Sequence, residues 1–200
     1  MKQIFIILGV AALASFVVSC TEHTHCGDGP EGPDLPAMTD RGWTHFEAHD
    51  YAAALATFDS ALAIDGTHRE ARVGAGWCKI RLDDSDSALV HFSIVLGTHA
   101  TDADALCGAV VAAVGMNNFD VAATHASAFL TAVGDTFVFV HDSTVNSRDV
   151  RILYALASFH RGDYPTALEQ VRVLDPSVDL DPAAPGYIDE LLAAIEALMG

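Results

Sequence analysis

Residues 35–68, LPAMTDRGWTHFEAHDYAAALATFDSALAIDGTH, lie in register over residues 69–102, REARVGAGWCKIRLDDSDSALVHFSIVLGTHATD. Gly42 falls on Gly76, Trp43 on Trp77, Ala54 on Ala88 and Phe58 on Phe92, each at an offset of 34. A third copy continues over 103–136, less regular in its second half: Ala88 leads to Ala122, but Ser85 leads to Phe119 and Phe92 to Ala126. A fourth copy, 148–181, follows an insertion of 11, so that Phe119 maps to Tyr164 and Ala122 to Ala167 at an offset of 45. Fixed-period self-similarity of this length is the signature of stacked supersecondary units, each too small to bury its apolar face alone.

Capping residues recur with the same period and predict two helices per unit. Asp50, Asp84, Asn118 and Asp163 each precede an apolar helical run, where a short side-chain oxygen can accept from the unpaired N–H groups of a first turn. They mark the second helices. Thr67 with Glu70, Thr101 with Asp104 and Asn146 with Asp149 have the spacing of a capping box, or nearly so, and are expected to open the first helices of copies two to four. Gly42 opposite Ala54 allows two antiparallel helices to approach, and Phe58 and Phe92 are expected to fill the space between successive hairpins. Residues 185–199, PGYIDELLAAIEALM, form an amphipathic helix suited to cover the last one.

A 34-residue, two-helix unit with small residues and an aromatic at fixed positions resembles the tetratricopeptide repeat (TPR). The resemblance spans about residues 35–176 and rests on Gly42, Tyr51, Ala54, Phe58 and Ala61, then Gly76, Ala88 and Phe92, then Phe119, Ala122 and Phe129, then Ala155, Tyr164, Ala167 and Leu174. Copy three has Val110 where glycine is usual, and copies one to three lack the usual proline after the second helix. The implied fold is all-α: antiparallel hairpins stacked as a short right-handed solenoid over 35–200, with a C-terminal capping helix at 185–199. It also implies a concave face lined by first helices. Here Thr39, Trp43, Phe46, Val73, Trp77, Ile80, Cys107, Val111, Val114, Ile152, Leu156 and Phe159 take those positions. The expected partner groove centres on Trp43, Phe46, Val73, Trp77, Ile80, Val111 and Val114. It lacks the Lys, Arg and Asn ladder with which some relatives clamp a terminal carboxylate, and suits an amphipathic helix or an extended apolar segment of a protein. Two states remain open for it: free, or occupied by the C-terminal helix or by the insertion at 134–147, whose run Phe137–Val140 is rich in strand formers.

The N-terminus has a different character. Lys2 precedes an apolar run from Ile4 to Val18, too short for a comfortable membrane span and typical of a cleaved export signal at 1–19. Val17, Val18, Ser19 and Cys20 resemble the lipobox of bacterial lipoproteins, which implies cleavage before Cys20 and a diacylglycerol on its thiol. Multiple acyl chains would hold the chain on a membrane. Thr21 rather than Asp follows, which resembles an outer-membrane address facing the periplasm. Residues 20–34, rich in Gly, Pro and acids, read as a flexible tether. Its His23, His25 and Cys26 lack a fourth ligand, so no metal is expected there.

Composition narrows the function. With 27 acidic and 10 basic residues, a formal charge of −17, the average surface repels nucleic acid. No phosphate loop, dinucleotide fingerprint, H-E-x-x-H pair or nucleophile elbow is present, and no cofactor or catalytic residue is expected. His141 beside Asp142 invites an acid–base reading, but sequence neighbours on a loop need not face each other. Asp83, Asp84 and Asp86 resemble half a calcium loop without its central glycine or final glutamate, and capping explains them better. Cys78 and Cys107, on adjacent first helices, either pair or remain buried thiols. The expected role is a lipid-anchored adaptor for a protein partner in a bacterial envelope. The alternative is a module that binds a small apolar ligand or lipid in the groove.

Overall fold

A computed structural model describes residues 34–200. The expected export signal, Cys20 and the expected tether with His23, His25 and Cys26 lie outside the described residues, apart from that segment's last residue, Asp34. That residue is the N-cap of the first helix, its carboxylate accepting from Ala37 N.

Nine helices and no strand occur among the described residues: α1 (Leu35–Glu47), α2 (Tyr51–Ile64), α3 (Arg69–Arg81), α4 (Ser85–Thr98), α5 (Ala103–Gly115), α6 (Phe119–Ala132), α7 (Ser147–His160), α8 (Tyr164–Leu174) and α9 (Tyr187–Met199). Successive helices pack as antiparallel neighbours. Each odd-numbered helix also touches the next odd-numbered one, whereas α2, α4, α6 and α8 do not touch each other. The stack therefore has an inner layer of first helices and an outer layer of second helices. None of these helices is long and apolar enough to cross a membrane.

Local chemistry sets the hairpin turns. The carboxylates of Asp50, Asp84 and Asp163 and the amide oxygen of Asn118 accept from Ala53 N, Ser87 N, Thr166 N and Val121 N, as the repeat of caps predicts. The residue before each cap is left-handed: His49, Asp83 and Asn117 at φ 61°, 61° and 55°, and Gly162 at 76°. Only the fourth hairpin uses glycine there, where it carries no penalty. The first-helix caps differ in part from the sequence reading. Asn146 and Asp149 form a true capping box. For α3 the cap is His68, whose ring accepts from Ala71 N, because Thr67 is engaged with Asp65. For α5 it is Asp102 rather than Thr101.

The glycines and phenylalanines work as a set. A β-carbon on Gly42 would lie 2.5 Å from the Phe58 ring, and one on Gly74 would also run into it. Gly76 and Gly108 stand in the same relation to Phe92. Each ring is thus held between a glycine of its own hairpin and a glycine of the next, and the space at Gly42 goes to Phe58 rather than to Ala54 alone. Copy three reverses the sizes. Ala126 replaces the phenylalanine, while Val110 and Leu153 stand at the glycine positions, and all three share one apolar core. Ala54, Ala88, Ala122 and Ala167 are fully buried. Helix α9 covers the last hairpin, with Tyr187, Leu191 and Ile195 buried against Ala155, Leu168 and Val171 while half-buried Tyr164 packs on them.

Candidate partner-binding surface

The first helices α1, α3 and α5 place the expected groove residues on one inner layer. Trp43, Phe46, Val73 and Trp77 are buried, as are Thr39, Cys107 and Ile152, and Ile80, Val111 and Val114 are half-buried. Val114 belongs to a separate apolar cluster with Phe119 and Tyr154, and Leu156 and Phe159 belong to the C-terminal cluster. Trp43, Phe46, Val73 and Trp77, expected at the centre of the partner groove, are therefore covered and form no open lining in this structure. Of the states the sequence left open, the structure has the insertion in the groove.

The connection between α6 and α7 turns back across the first two hairpins as a strap. Its arms bridge at Val138 and Asn146, Phe139 N donates to Val145 O, and Ser147 N donates to Phe137 O. Phe139, with no exposed surface, stacks on Trp77 at 4.5 Å between ring centres. It meets Trp43 and Phe46 edge-on at 5.9 and 6.4 Å. His141 lies flat on Trp43, 3.7 Å and 4° apart, and its Nδ1 is 2.8 Å from Glu47 Oε1. Asp142 pairs with Arg81 of α3. Burial pushes the Asp142 carboxyl up, but hydrogen bonds from Thr144 and the Arg81 guanidinium outweigh it and hold the group below the usual aspartate range. His141 and Asp142 thus turn to different partners and form no acid–base pair.

A polar network braces the same face. Trp43 Nε1 donates to Glu70 Oε1 at 2.9 Å, and Glu70 takes Arg69, which also holds Asp102 and Asp104 at the head of α5. Burial pushes the Asp104 carboxyl up despite Arg69, while Asp102 is the stronger support that raises Arg69. Trp77 Nε1 and Arg81 Nε are buried without an acceptor among the described residues.

Cys78 and Cys107 are buried free thiols, not a disulfide. Burial pushes Cys78 up to about 12 and raises Cys107 as well. Asp84 caps α4 and pairs with Lys79, which with Ser87 holds its carboxyl at about 2. Among the described residues no three His, Cys, Asp or Glu side chains gather to hold a metal ion. A second concavity lies between α8 and α9, a cleft of about 680 Å³ walled by Tyr164, Pro165, Leu168, Val173, Pro182 and Tyr187, with Arg172 and Glu169 at its edge.

Residues 45–106 match the tetratricopeptide repeat family model. The fold is similar to that of YrrB, a TPR protein with an unusual peptide-binding site, at a TM-score of 0.64 and 15% identity over 82% of this chain and 86% of that one. The fold is a TPR solenoid. MamA from Desulfovibrio magneticus RS-1, residue 41 to its end, gives 0.59 at 16% identity over 80% of this chain and 77% of that one. A tetratricopeptide repeat protein from Parabacteroides merdae ATCC 43184 gives 0.60 at 17% identity, covering 86% of this chain and 61% of its own. Among curated proteins, none matches the sequence. The TPR stack extends beyond the matched segment to both sides, since α1 begins at Leu35 and the fourth hairpin ends at Leu174.

Sequence reasoning missed Glu47 and Arg81, which fasten the strap, and singled out His141 and Asp142 for an acid–base reading rather than as the strap's own half of those fastenings. The apolar run Phe137–Val140 was visible as strand-forming, and the groove was one of its possible places, but the contacts that hold it there were not legible. His141 meets Glu47 across 94 residues of chain, and no local pattern encodes that.

Proposed function

We propose that this TPR protein is an adaptor of a bacterial envelope, tethered by lipid on Cys20 and docking a protein partner on its inner helix layer. The observation that carries the reading is the aromatic pocket of Trp43, Phe46 and Trp77. It is built on the first helices, and its present occupant is a polypeptide arm that ends in a turn after Phe139. YrrB, whose fold is similar, has a peptide-binding site, and this is a further support. The lipobox-like Val17–Cys20 and the following Thr21 support the tether and an outer-membrane location facing the periplasm.

Two measurements test the reading. A photo-crosslinking residue at Ile80 or Val111, used in native membranes, should trap one partner in stoichiometric amount. Trapping nothing would count against an adaptor. Radiolabelled palmitate should mark the wild type but not Cys20→Ser, and the variant should leave the membrane fraction or stay uncut. An unlabelled wild type removes the tether from the proposal.

A second reading, a module for a small apolar ligand, is favoured by one observation: the cleft between α8 and α9 has the size and walls of a ligand pocket. Fatty-acid binding lost in Leu168→Asp, with Trp43 and Trp77 fluorescence unchanged, would support it.

A further inference from the structure

The inner face holds its own occupant, and the way it does so describes what could replace it. Phe137 packs edge-on against Phe129, Phe139 stacks on Trp77 and His141 lies on Trp43, while the intervening Val138 and Val140 are 55% and 78% exposed. The arm through Val138 is extended and packs Phe137 and Phe139 inward on either side of it, as grooves recognise a short peptide strand. A turn from Phe139 to Asp142 then lays His141 on Trp43.

The closed strap leaves this surface incompletely satisfied. Trp77, 1% exposed, keeps its indole N–H without an acceptor under the strap, and Arg81 Nε one helical turn on is in the same condition, all among the described residues. A buried donor without an acceptor is unfavourable until an occupant supplies one. Two valines stay in solvent. One fastening also sits at the rim: Glu47, the partner of His141, is half-exposed, and a polar contact in solvent holds weakly.

We propose that the strap is a displaceable internal ligand, and that the partner of the adaptor reading, on which this rests, presents an extended segment. It carries aromatic side chains at alternate positions and a backbone carbonyl for Trp77 Nε1. The strap then sets the affinity, because binding must first open it and the apparent Kd rises by the reciprocal of the open fraction.

The test uses the full-length protein in detergent and a fluorescein-labelled peptide copying residues 134–147. His141→Ala removes the stack on Trp43 and the bond to Glu47 while keeping Phe139. It should bind the peptide at least ~10-fold more tightly than wild type. A peptide with its Phe139 counterpart changed to alanine should bind neither protein. Should His141→Ala fold poorly, Glu47→Gln loosens the same fastening from α1. In hydrogen exchange, the amides of Phe139 and Ser147 should open at least ~100-fold faster than those of α5.

Equal affinity for wild type and variant, binding that ignores the aromatic, or strap amides that open only with global unfolding would each overturn the proposal and make the strap a permanent plug. If the loosened protein refuses the peptide while membrane crosslinking still traps a partner, the displaceable ligand fails and the adaptor stands. A bound peptide with no partner trapped in membranes is the reverse case.

Discussion

Copy three suggests how to rebuild the repeat contact by design. In wild type, Phe92 is fully buried between Gly76 and Gly108. Phe92→Ala empties that space and should cost about 3–5 kcal/mol, a large part of the roughly 5–15 kcal/mol of a typical domain. Gly76→Val alone should also destabilise, since its first added carbon would already sit 2.7 Å from the Phe92 ring, and forced overpacking costs about 1–3 kcal/mol. Together the two changes reproduce the Val110 and Ala126 arrangement, in which the valine fills part of what the ring leaves. Adding Gly108→Leu places an isobutyl group where copy three has Leu153. The variant with Phe92→Ala and Gly76→Val should be more stable than the sum of the single effects by about 0.5–3 kcal/mol, the range for neighbours sharing one cavity. Urea unfolding followed by far-ultraviolet circular dichroism on wild type, the two single variants and the double variant gives the coupling directly. A coupling below about 0.5 kcal/mol would mean that the two positions do not share a cavity, and the size exchange between copies would be coincidence.

Other expectations follow from single sites. Asp83→Gly relieves a left-handed residue at φ 61° and should raise stability by about 1 kcal/mol, whereas a lower unfolding midpoint would show that the turn depends on the aspartate. The Asp142 carboxyl is held below its ordinary value, so its contribution is fully present above the usual aspartate range near about 3.9 and is lost as pH falls through the folded value. Acidification below about pH 4 should thus loosen the strap and change Trp43 and Trp77 fluorescence, and an Asp142→Asn variant that keeps this transition would disprove the assignment. Cys78 and Cys107, buried and held as thiols, should escape N-ethylmaleimide in the folded protein at about pH 8 and react in denaturant, with the labelled peptides read by mass spectrometry. Labelling of either in the native state would mean that the stack opens locally.

The parts of the fold encoded by local chemistry were the legible ones. A second-helix cap needs only a short polar side chain ahead of an apolar run, and Asp50, Asp84, Asn118 and Asp163 all act as read. First-helix caps were less secure, because two candidates stood side by side. Thr67 lost to His68 by bonding Asp65, and Thr101 lost to Asp102, which also serves Arg69. Copy three looked degenerate in sequence, since Val110 and Ala126 break the pattern one at a time. Only their shared core shows that one change answers the other. For the groove, the insertion stood among the candidate occupants but could not be chosen, because Phe139 finds Trp77 through tertiary packing and no spacing announces it.

The strap changes the character of the array as well as its surface. Repeats in a solenoid ordinarily touch only their neighbours, so that stability is close to a sum over repeats and adjacent interfaces. Here a connection between the third and fourth hairpins closes on α1 and α3, through Glu47 and Arg81 at the rim and Phe139 beneath. The first hairpin therefore has two anchors: its ordinary neighbour, with the Trp43–Glu70 bond, and a segment that belongs to the far half of the chain. Whatever lifts the strap removes the second anchor and returns the array to nearest-neighbour coupling. Occupancy of the groove and cohesion of the first hairpin are thus linked free energies, and a partner that supplies its own aromatic at Phe139 would restore the packing that it displaces. On this argument the aromatic pocket is needed in both states, which accounts for two tryptophans at one repeat position in a chain that has no others.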